Sequence, residues 1–343
     1  MSNITAKEIA KILGLSQAAV SLALRDKPGV SEETRKLVRE TAVRMGKPFS
    51  TAMQQALTSR RISFVIFMDH LVSIAENTTF SSFLLKGAAD RASSLGHSIS
   101  VCYINAGEAA LRDQLEKVLP DTDGILFLGT DITEKSRTEI NAVFAEHPEI
   151  PLIVLDSVEP IAGADYVCND NFGGARMATE HLIQRGCRRI GYFRSSFRNQ
   201  NYIDRQEGVA CALQDAGLDL FCMMNTDVSF DGAYKSTVDF LNNTSELPDG
   251  VFAENDVVAA AAIRACNSFG IKVPEQLSVI GFDDTPICEL CSPALSTVTS
   301  HKEQLGKIAV DILLRRMDDP ASEERASMKI YLSTSLHIRD SVK

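Results

Sequence analysis

Acidic, amide and guanidinium side chains stand where several apolar, strand-like runs of this sequence end. Asp156, Asn255 and Asp283 each follow or close such a run, and Arg205 begins a predicted helix after another. Planar groups that donate or accept hydrogen bonds in pairs suit neighbouring hydroxyls on a ligand. The pattern therefore favours hydrogen bonding of a small hydroxyl-rich molecule.

Motifs for bond-breaking chemistry are missing from the sequence. It contains no Gly-x-Ser-x-Gly elbow, P-loop or His-Glu-x-x-His segment. Cys288-Glu289-Leu290-Cys291 has the spacing of a metal or redox pair, but it lacks the two further ligands of a zinc site. Asp256 and Asp284 fit a helix N-cap and a turn. We expect neither an enzyme, nor a cofactor, nor a bound metal.

The elements that must position these residues alternate between strand and helix. Residues 62–68 form a near-continuous apolar run, typical of a strand buried on both faces. The alternation predicts parallel sheets with helices on both faces, and the number of strands favours two lobes. Further strands are predicted over 98–103, 124–128, 151–155, 189–193, 219–224, 250–253 and 277–281. Helices are predicted over 81–95, 108–118, 133–146, 172–185, 205–216, 230–242 and 256–269.

Length and composition limit the class of protein. The 343 residues exceed one ordinary core, and 45% hydrophobic with 23% charged residues is typical of a globular chain. There is no apolar run long enough to span a membrane and no signal-peptide core near the start. The eight cysteines fit reduced thiols. A cytoplasmic protein without a membrane partner is expected.

Charge is divided unevenly along the chain. Residues 1–61 hold 11 Lys and Arg against 5 Asp and Glu, whereas the remainder holds 24 against 40. A basic head on an acidic body suggests that the head contacts a polyanion. A basic solvated surface is an equally good interpretation of charge alone.

The head has the sequence pattern of three short helices. Thr5-Ala6-Lys7-Glu8 forms a capping box, and Gly14 suits the left-handed residue that ends the first helix. Ser16 and Ser31 fit the N-caps of a second and a third helix. The third helix carries an apolar stripe of Leu37, Val38, Ala42 and Met45. The short turn at Gly14 predicts a helix-turn-helix.

The second helix, within the segment GLSQAAVSLAL at 14–24, has two different faces at 100° per residue. Ala19, Val20 and Ala23 share a core-facing side. The opposite side is small or polar apart from one leucine, and it consists of Gln17, Ala18, Ser21, Leu22 and Arg25. Such a face fits a DNA major groove, where Gln17 would pair with adenine and Ala18 or Leu22 would touch a thymine methyl. The alternative is a surface helix of a small helical domain.

These segments resemble the lactose/galactose repressor (LacI/GalR) family of transcription regulators. The resemblance covers nearly the whole chain, and in the head it lies in Ile4-Thr5 through Ile9-Ala10, Gly14-Leu15-Ser16, Ala19-Val20-Ser21 and Val30-Ser31-Glu32-Glu33-Thr34-Arg35. It implies an α/β chain in which an N-terminal helix-turn-helix three-helix domain precedes a two-lobed, periplasmic-binding-protein-like (Rossmann-like) effector domain.

The resemblance also implies boundaries between these parts. The DNA-binding domain would cover 1–48, a hinge helix or linker 49–61, and the effector and dimerisation domain 62–343. The N-lobe would comprise about 62–161 and 294–322, and the C-lobe about 164–290 and 328–343. The chain would cross between the lobes near 161–164, 289–295 and 322–328.

For DNA, the resemblance implies double-stranded operator contacts made by the head and the hinge. Hydroxyls at helix starts, Thr5, Ser16, Ser31 and Thr34, would contact phosphates. In the hinge, Leu57 would wedge between base pairs in the minor groove, with Met53 as the second choice. A flexible linker is the alternative for that segment. The family usually has a polar or basic residue at Leu22 and often Asn at Arg25, so an unusual operator is expected.

For the effector, the resemblance implies a sugar-like molecule bound by Asp156, Arg205, Asn255 and Asp283. The aromatic rings of Phe80 and Phe230 would wall the ligand, and His70 belongs to a first loop longer than usual. A homodimer is implied, and no leucine heptads follow the last predicted strand. The resulting function is an effector-controlled, DNA-binding repressor.

Two alternatives of different classes remain. A solute-binding protein would explain the two lobes, but it would leave the basic head unexplained. An enzyme on the same fold would need a catalytic cluster that the sequence does not supply.

Overall fold

The computed structural model describes residues 4–25, 27–45, 59–69, 73–106, 110–318 and 326–343. The chain divides into two compact units. One comprises Met1–Arg61 with Ala92–Ser98, and the other comprises Ile62–Arg91 with Ile99–Lys343.

The first unit contains the three expected helices, α1 (Ala6–Leu13), α2 (Gln17–Leu24) and α3 (Glu32–Arg44). Their shared core consists of Ile9, Ala10, Val20, Ala23, Val38 and Ala42. The predicted core side of α2 is confirmed at Val20 and Ala23, whereas Ala19 is half-buried. Such a three-helix arrangement buries few residues, so each apolar position contributes a large share of the core.

The predicted stripe on α3 is wrong at one position. Leu37 is 43% exposed, while Arg35 is buried at 6% exposure. The Arg35 guanidinium donates to the carbonyl of Lys27 and to the carboxylate of Glu32, which satisfies it inside the head. A long side chain with a paired head group is therefore buried at a position that the apolar pattern did not assign to the core.

The second unit alternates strand and helix as predicted. Its strands are β1 (Arg61–Met68), β2 (Ser98–Asn105), β3 (Gly124–Leu128), β4 (Leu152–Leu155), β5 (Ala164–Asn169), β6 (Ile190–Ser195), β7 (Cys222–Thr226), β8 (Gly250–Ala253), β9 (Ser278–Asp283), β10 (Ser296–Thr299), β11 (Lys329–Leu332) and β12 (Ser335–His337). Its helices are α4 (Ser73–Ser94), α5 (Leu111–Val118), α6 (Glu134–Glu146), α7 (Asn171–Gln184), α8 (Gln200–Asp215), α9 (Phe230–Asn243), α10 (Asp256–Ser268), α11 (Ile287–Leu290) and α12 (Lys302–Asp318).

The strands form two six-stranded sheets, which confirms the two lobes. The N-lobe sheet has the order β11-β5-β4-β3-β1-β2, and the C-lobe sheet has the order β12-β10-β9-β8-β6-β7. The C-lobe pairs β6–β7, β6–β8, β8–β9 and β9–β10 are parallel, and β12 runs antiparallel to β10. In such sheets ligands bind beyond the carboxyl ends of the strands.

The expected lobe boundaries near 161–164, 289–295 and 322–328 are wrong by several residues each. β5 pairs with β4 in the N-lobe, so the first crossing falls between Asn169 and Asn171. β10 remains in the C-lobe, and α12 packs on β3, β4 and β5, so the second crossing lies between Thr299 and Lys302. β11 joins the N-lobe and β12 the C-lobe, which places the third crossing between Leu332 and Ser335.

These boundaries shift because four short strands, β5, β10, β11 and β12, are not among the strands predicted from apolar runs. The sequence of β11, Lys-Ile-Tyr-Leu, is only partly buried because it lies at a sheet edge. Short edge strands gain their identity from a partner strand rather than from their own apolar pattern.

No helix within the described ranges is both long enough and apolar enough to cross a bilayer.

Candidate functional site

Three of the four head residues predicted to contact phosphates, Thr5, Ser16 and Ser31, are helix caps, and Thr34 lies in the first turn of α3. The Thr5 hydroxyl donates to the Glu8 carboxylate (2.8 Å) and accepts from the Glu8 amide (3.4 Å), which confirms the capping box. The hydrogen bonds from the Thr5 backbone and hydroxyl lower the pKa of Glu8. Gly14 adopts φ 64°, the left-handed conformation expected at the helix end.

The next two helices are capped in the same way. Ser16 Oγ accepts from the Ala19 amide (3.1 Å), and Ser31 Oγ accepts from the Thr34 amide (3.1 Å). The Ser31 and Thr34 hydroxyls lie 2.8 Å apart. The start of each helix therefore presents backbone N–H groups beside a hydroxyl, which is the chemistry that receives a phosphate oxygen.

The predicted base-reading face of α2 is only partly open to solvent. Gln17, Ala18 and Arg25 are exposed, whereas Ser21 and Leu22 are half-buried. Leu22 is half-buried because its Cδ1 lies against Gly29, in the turn before α3, where an added Cβ would approach it to 3.2 Å. Leu22 thus also packs on its own domain. Met53 and Leu57 of the hinge, and His70, lie outside the described residues.

The predicted effector contacts Asp156, Arg205, Asn255 and Asp283 are together called the strand-end site. Asp156 lies just after β4. It is only 4% exposed, and its backbone has φ 54°. One carboxylate oxygen, Oδ2, accepts from the Thr130 hydroxyl (2.8 Å), while Oδ1 has no hydrogen-bond partner in the described part of the chain. Burial raises the pKa of Asp156 to about 7, against the opposing effects of Thr130 and Arg205. A buried acceptor without a partner is costly unless a ligand or water pairs it.

Arg205 belongs to the C-lobe part of the strand-end site. Helix α8 begins at Gln200 rather than at 205, so Arg205 lies within its second turn. Its Nε donates to Asn171 (2.9 Å), and its Nη2 donates to Asp283 (3.2 Å). The guanidinium also stacks 3.7 Å above the Phe282 ring. Burial works against its charge, but Asp283 and neighbouring acids raise the pKa of Arg205 overall.

Asp283 and Asp284 are adjacent residues with left-handed backbones, at φ 107° and 53°. Asp283 pairs with Arg205, as described, and its side chain is 16% exposed. Asp284 anchors the C-terminal strand, because its carboxylate binds Arg339 (2.8 Å) and His337 (3.0 Å). Residues other than glycine rarely adopt such φ values, so contacts with the surrounding structure must stabilise this backbone conformation.

The predicted roles of Asn255 and Asp256 require one correction. Asn255, not Asp256, is the N-cap of α10, because its Oδ1 accepts from the Val258 amide (2.9 Å). Its amide nitrogen donates to the Tyr202 hydroxyl (3.0 Å). Asp256 is the first helical residue and is buried, accepting from Thr285 and Thr297. The two polar residues are adjacent in sequence, so composition alone did not distinguish the cap.

The two predicted aromatic walls separate in the structure. Phe80 is 9% exposed, and its ring lies 6.0 Å from the Lys302 ammonium, which donates to the carbonyl of Asp283. Phe230 instead lines a pocket of about 280 Å³ on the C-lobe. That pocket is lined by Phe230, Ala260, Ile263, Arg264, Asn267, Ile287, Leu290, Cys291 and Ser292, none of which was predicted to bind effector except Phe230.

Three asparagines of the site were missed at the sequence level. Asn201 donates to the Asp156 carbonyl (3.0 Å) and accepts from Asn171, so it joins the C-lobe to the N-lobe. Asn169, at the end of β5, is 1% exposed, and neither polar atom of its side chain makes a hydrogen bond to another described residue, although its proximity to Asp156 lowers the pKa of that carboxyl. Asn169 and Asn171 flank the first lobe crossing. A search for polar residues at every strand end would have found Asn169 had β5 been recognised.

The eight cysteines are all free thiols. Cys288 is fully buried and hydrogen-bonds to Asp256, and burial raises the pKa of both Cys288 and Cys291. Thiols with raised pKa values are poor nucleophiles and poor metal ligands.

The fold and the strand-end site define a two-lobed, periplasmic-binding-protein-like domain carried by a chain that starts with a helix-turn-helix. The model of the periplasmic binding protein-like domain matches residues 179–342. The HTH-type transcriptional repressor PurR of Pasteurella multocida is 28% identical over 99% of this chain and 98% of its own length. The ribose operon repressor of Escherichia coli is 25% identical over 94% and 95%.

Among solved structures, the lac repressor dimer bound to operator and the anti-inducer ONPF has a similar fold. Its TM-score is 0.71 at 23% identity, with 99% of each chain covered. Over nearly its whole length the chain is therefore similar to transcriptional repressors of the LacI/GalR family.

Proposed function

We propose that this protein represses transcription by binding operator DNA as a homodimer, with an affinity set by a small hydroxyl-rich effector. The full-length similarity to repressors supports the DNA-binding role. A protein that binds operator DNA would act in the cytoplasm. The matched lac repressor structure is a dimer on its operator. The effector would bind Asp156, Arg205 and Asp283 at the carboxyl ends of the strands of both lobes.

The observation that carries the effector proposal is a set of buried polar atoms without partners. Among the residues that the structure describes, Asp156 Oδ1 and both polar atoms of the Asn169 side chain make no hydrogen bond, although Asn169 lies near enough to Asp156 to oppose the rise in its pKa. They offer acceptors and a donor within one desolvated region, which suits hydroxyl groups because a hydroxyl both donates and accepts. Ligand hydroxyls would replace the missing partners and thereby favour the lobe arrangement that binds them.

Charge supports a neutral effector over a phosphorylated one. Arg205 faces both Asp156 and Asp283. The other nearby cations are engaged elsewhere, since Arg198 binds Glu254 and Gln206, and Lys302 binds backbone carbonyls. A phosphate needs cations or N–H groups in excess of acids. We therefore propose a sugar or a similar uncharged polyol.

A thermal-shift screen of the full-length protein tests this choice. The probes are D-ribose, cellobiose, ribose 5-phosphate and inosine, and we expect a neutral sugar to raise the melting midpoint. Asp283→Asn should abolish that shift. Asp249→Asn is the matched control, because Asp249 binds Arg189 next to the amino end of β8. A shift given only by the phosphorylated probe would contradict the neutral-effector proposal.

A mobility-shift assay tests the DNA role. The probe is the DNA upstream of the protein's own coding sequence, at low salt, with and without each sugar. We expect a retarded complex whose amount changes with the stabilising sugar. No retarded complex under any condition, together with a retained thermal shift, would favour a solute-binding protein instead.

The hinge contributes a separate proposal. We propose that Leu57 is the minor-groove wedge, since an apolar side chain inserted between base pairs kinks the duplex and increases contact. Leu57→Ala should weaken operator binding and leave the sugar-induced thermal shift unchanged. The same substitution at Met53 is the control. An unchanged operator affinity for Leu57→Ala would remove it from this role.

A further inference from the structure

Lys302 is a buried lysine whose partners among the described residues are backbone carbonyls and a hydroxyl rather than a carboxylate. The residue is 7% exposed. Its ammonium donates to the carbonyl oxygens of Asp283 and, at 3.4 Å, Asp284, and also to the Ser300 hydroxyl oxygen at 3.4 Å. A buried ammonium carries a large desolvation cost, so a position that retains one without an acidic partner demands an explanation.

The carbonyls that Lys302 binds belong to the two left-handed aspartates at the end of β9. Asp283 has φ 107° and Asp284 has φ 53°. Such residues keep their conformation only when neighbours hold it. The Ser300 hydroxyl also donates to the Asp283 carbonyl, at 3.2 Å. Lys302 and Ser300 together therefore fix the backbone from which the Asp283 carboxylate extends toward Arg205.

The backbone of Lys302 belongs to the N-lobe, whereas the carbonyls that it binds belong to the C-lobe. Lys302 is the first residue of α12, which packs on the N-lobe strands β3, β4 and β5. The start of α12 lies so close to α4 that a Cβ at Gly87 would collide with the Glu303 carbonyl, and one at Gly306 with the Leu84 carbonyl. Backbones in such close contact move together. A displacement of the N-lobe would therefore carry Lys302 with it.

Two aromatic rings of α4 flank the same ammonium. The Lys302 Nζ lies 6.0 Å from the ring centre of Phe80 and 5.9 Å from that of Phe83. An ammonium at this distance is attracted by the ring faces. Lys302 thus has N-lobe partners at its flanks and C-lobe carbonyls at its tip.

We propose that Lys302 is a positioning residue that couples the arrangement of the lobes to the orientation of Asp283. When the lobes close, the ammonium stays on the two carbonyls and the carboxylate stays aimed into the site. When the lobes separate, the ammonium withdraws and the strained turn is free to relax. This inference rests on the proposed function, because it concerns the regulation of the same effector site.

Hydrogen–deuterium exchange of the full-length protein, without DNA or sugar, tests the coupling. We expect Lys302→Met to raise exchange of the amides at 284–285 about tenfold or more, because a charge-assisted hydrogen bond is lost. These amides are now protected by Thr297 and Asp256. Lys307→Met is the matched control, since Lys307 lies exposed on the same helix. Lys302→Arg, which keeps cationic donors, should give a smaller increase.

A second variant distinguishes coupling between the lobes from a purely local effect of the Lys302 hydrogen bonds on residues 283–284. Phe83→Leu changes only the N-lobe side, and we expect it also to raise exchange at 284–285, with the β3 amides unchanged. If exchange at 284–285 is normal in Phe83→Leu or in Lys302→Met, or if it rises equally in Lys307→Met, the proposal is overturned. No ligand is needed, so a failure of sugar or operator binding would show itself separately in the assays of the proposed function.

Discussion

The helix-turn-helix head and the strand-end site both use polar side chains, but over very different distances in the sequence. In the head, the capping hydroxyls of Thr5, Ser16 and Ser31 each bond three residues ahead. At the strand ends, Arg205 reaches Asn171 and Asp283, which lie 34 and 78 residues away. A local hydrogen bond needs only the helix geometry, whereas these distant ones need the whole C-lobe folded.

The two regions also differ in burial. The capping hydroxyls are exposed to solvent, while Asp156 and Arg205 are 4% exposed each. Removing an exposed cap costs little because water replaces it, whereas removing one member of a buried charged group leaves its partners unpaired. We therefore expect substitutions at the strand ends to affect stability more than substitutions in the head.

Arg205→Met should give the largest effect. It leaves Asp283 without its guanidinium and Asn171 without its donor, and it should lower the free energy of unfolding of the effector domain by about 3–5 kcal/mol. Urea unfolding followed by far-ultraviolet circular dichroism measures this, since the chain has no tryptophan. Arg176→Met is the control, because Arg176 pairs with exposed Glu180 and Asp215. Equal losses in both variants would contradict the buried-charge interpretation.

Asp156→Asn should change how stability depends on pH. The pKa of Asp156 is raised from 3.8 to about 7, so between these values the folded protein retains a proton that the unfolded chain has lost. Its contribution to stability is therefore full below about pH 4 and is lost as the pH rises through 7. The fall in unfolding free energy between pH 5 and 8 should be smaller in Asp156→Asn by about 3 kcal/mol.

The control for this pH effect is Asp249→Asn. The pKa of Asp249 is lowered, because the hydrogen bonds from Arg189 and Arg188 outweigh the opposing effect of burial. Its contribution is consequently lost only in acid, and the slope between pH 5 and 8 should match the parent protein. A parent-like slope in Asp156→Asn would show that Asp156 is ionised in the folded state across this range.

Gln17→Ala tests the exposed face of α2. An amide pairing with adenine contributes about 1–3 kcal/mol of discrimination, so the variant should lose base preference at one operator position. Selection of bound sequences from a randomised operator pool measures this. Lys11→Ala, on α1, should weaken binding without changing base preference. An unaltered preference in Gln17→Ala would remove this residue from base reading.

Ser16→Ala should have the smallest effect. Loss of the hydroxyl that caps the Ala19 amide should destabilise α2 by about 1 kcal/mol. Hydrogen exchange of the α2 amides measures the change. Ser16→Asn keeps an acceptor at the cap and should exchange like the parent. If both variants exchange alike, the cap contributes nothing to α2.

The sequence predicted the head almost completely because its signals are local. The capping box, the left-handed Gly14 and the caps Ser16 and Ser31 follow from residue types at fixed spacing. Its errors came from side chains with non-local partners. Arg35 is buried because it binds Lys27 across the loop, and Leu22 is half-buried because it contacts Gly29.

The sequence predicted several residues of the strand-end site, but it did not predict how the site is arranged. Asp156, Arg205 and Asp283 do converge, since parallel strands bring their carboxyl ends to one edge. Phe230 lines a different pocket, and Asn255 caps a helix, because the same residue types also serve local structure. Asn169, Asn171 and Lys302 were missed, because their importance depends on which lobe each short segment joins.

By itself, the sequence determined the helix caps of the head, the alternation of strands and helices, and the polar residues at the strand ends. Each of these depends on residues a few positions apart, whose geometry is fixed once the helix or strand forms. Only the tertiary structure decided the three lobe crossings, the polar atoms of Asp156 and Asn169 that lack hydrogen bonds within the described residues, and the hydrogen bond from Lys302 to the end of β9. Those features depend on distant segments packing together, and no local pattern encodes which partner a buried polar atom finds.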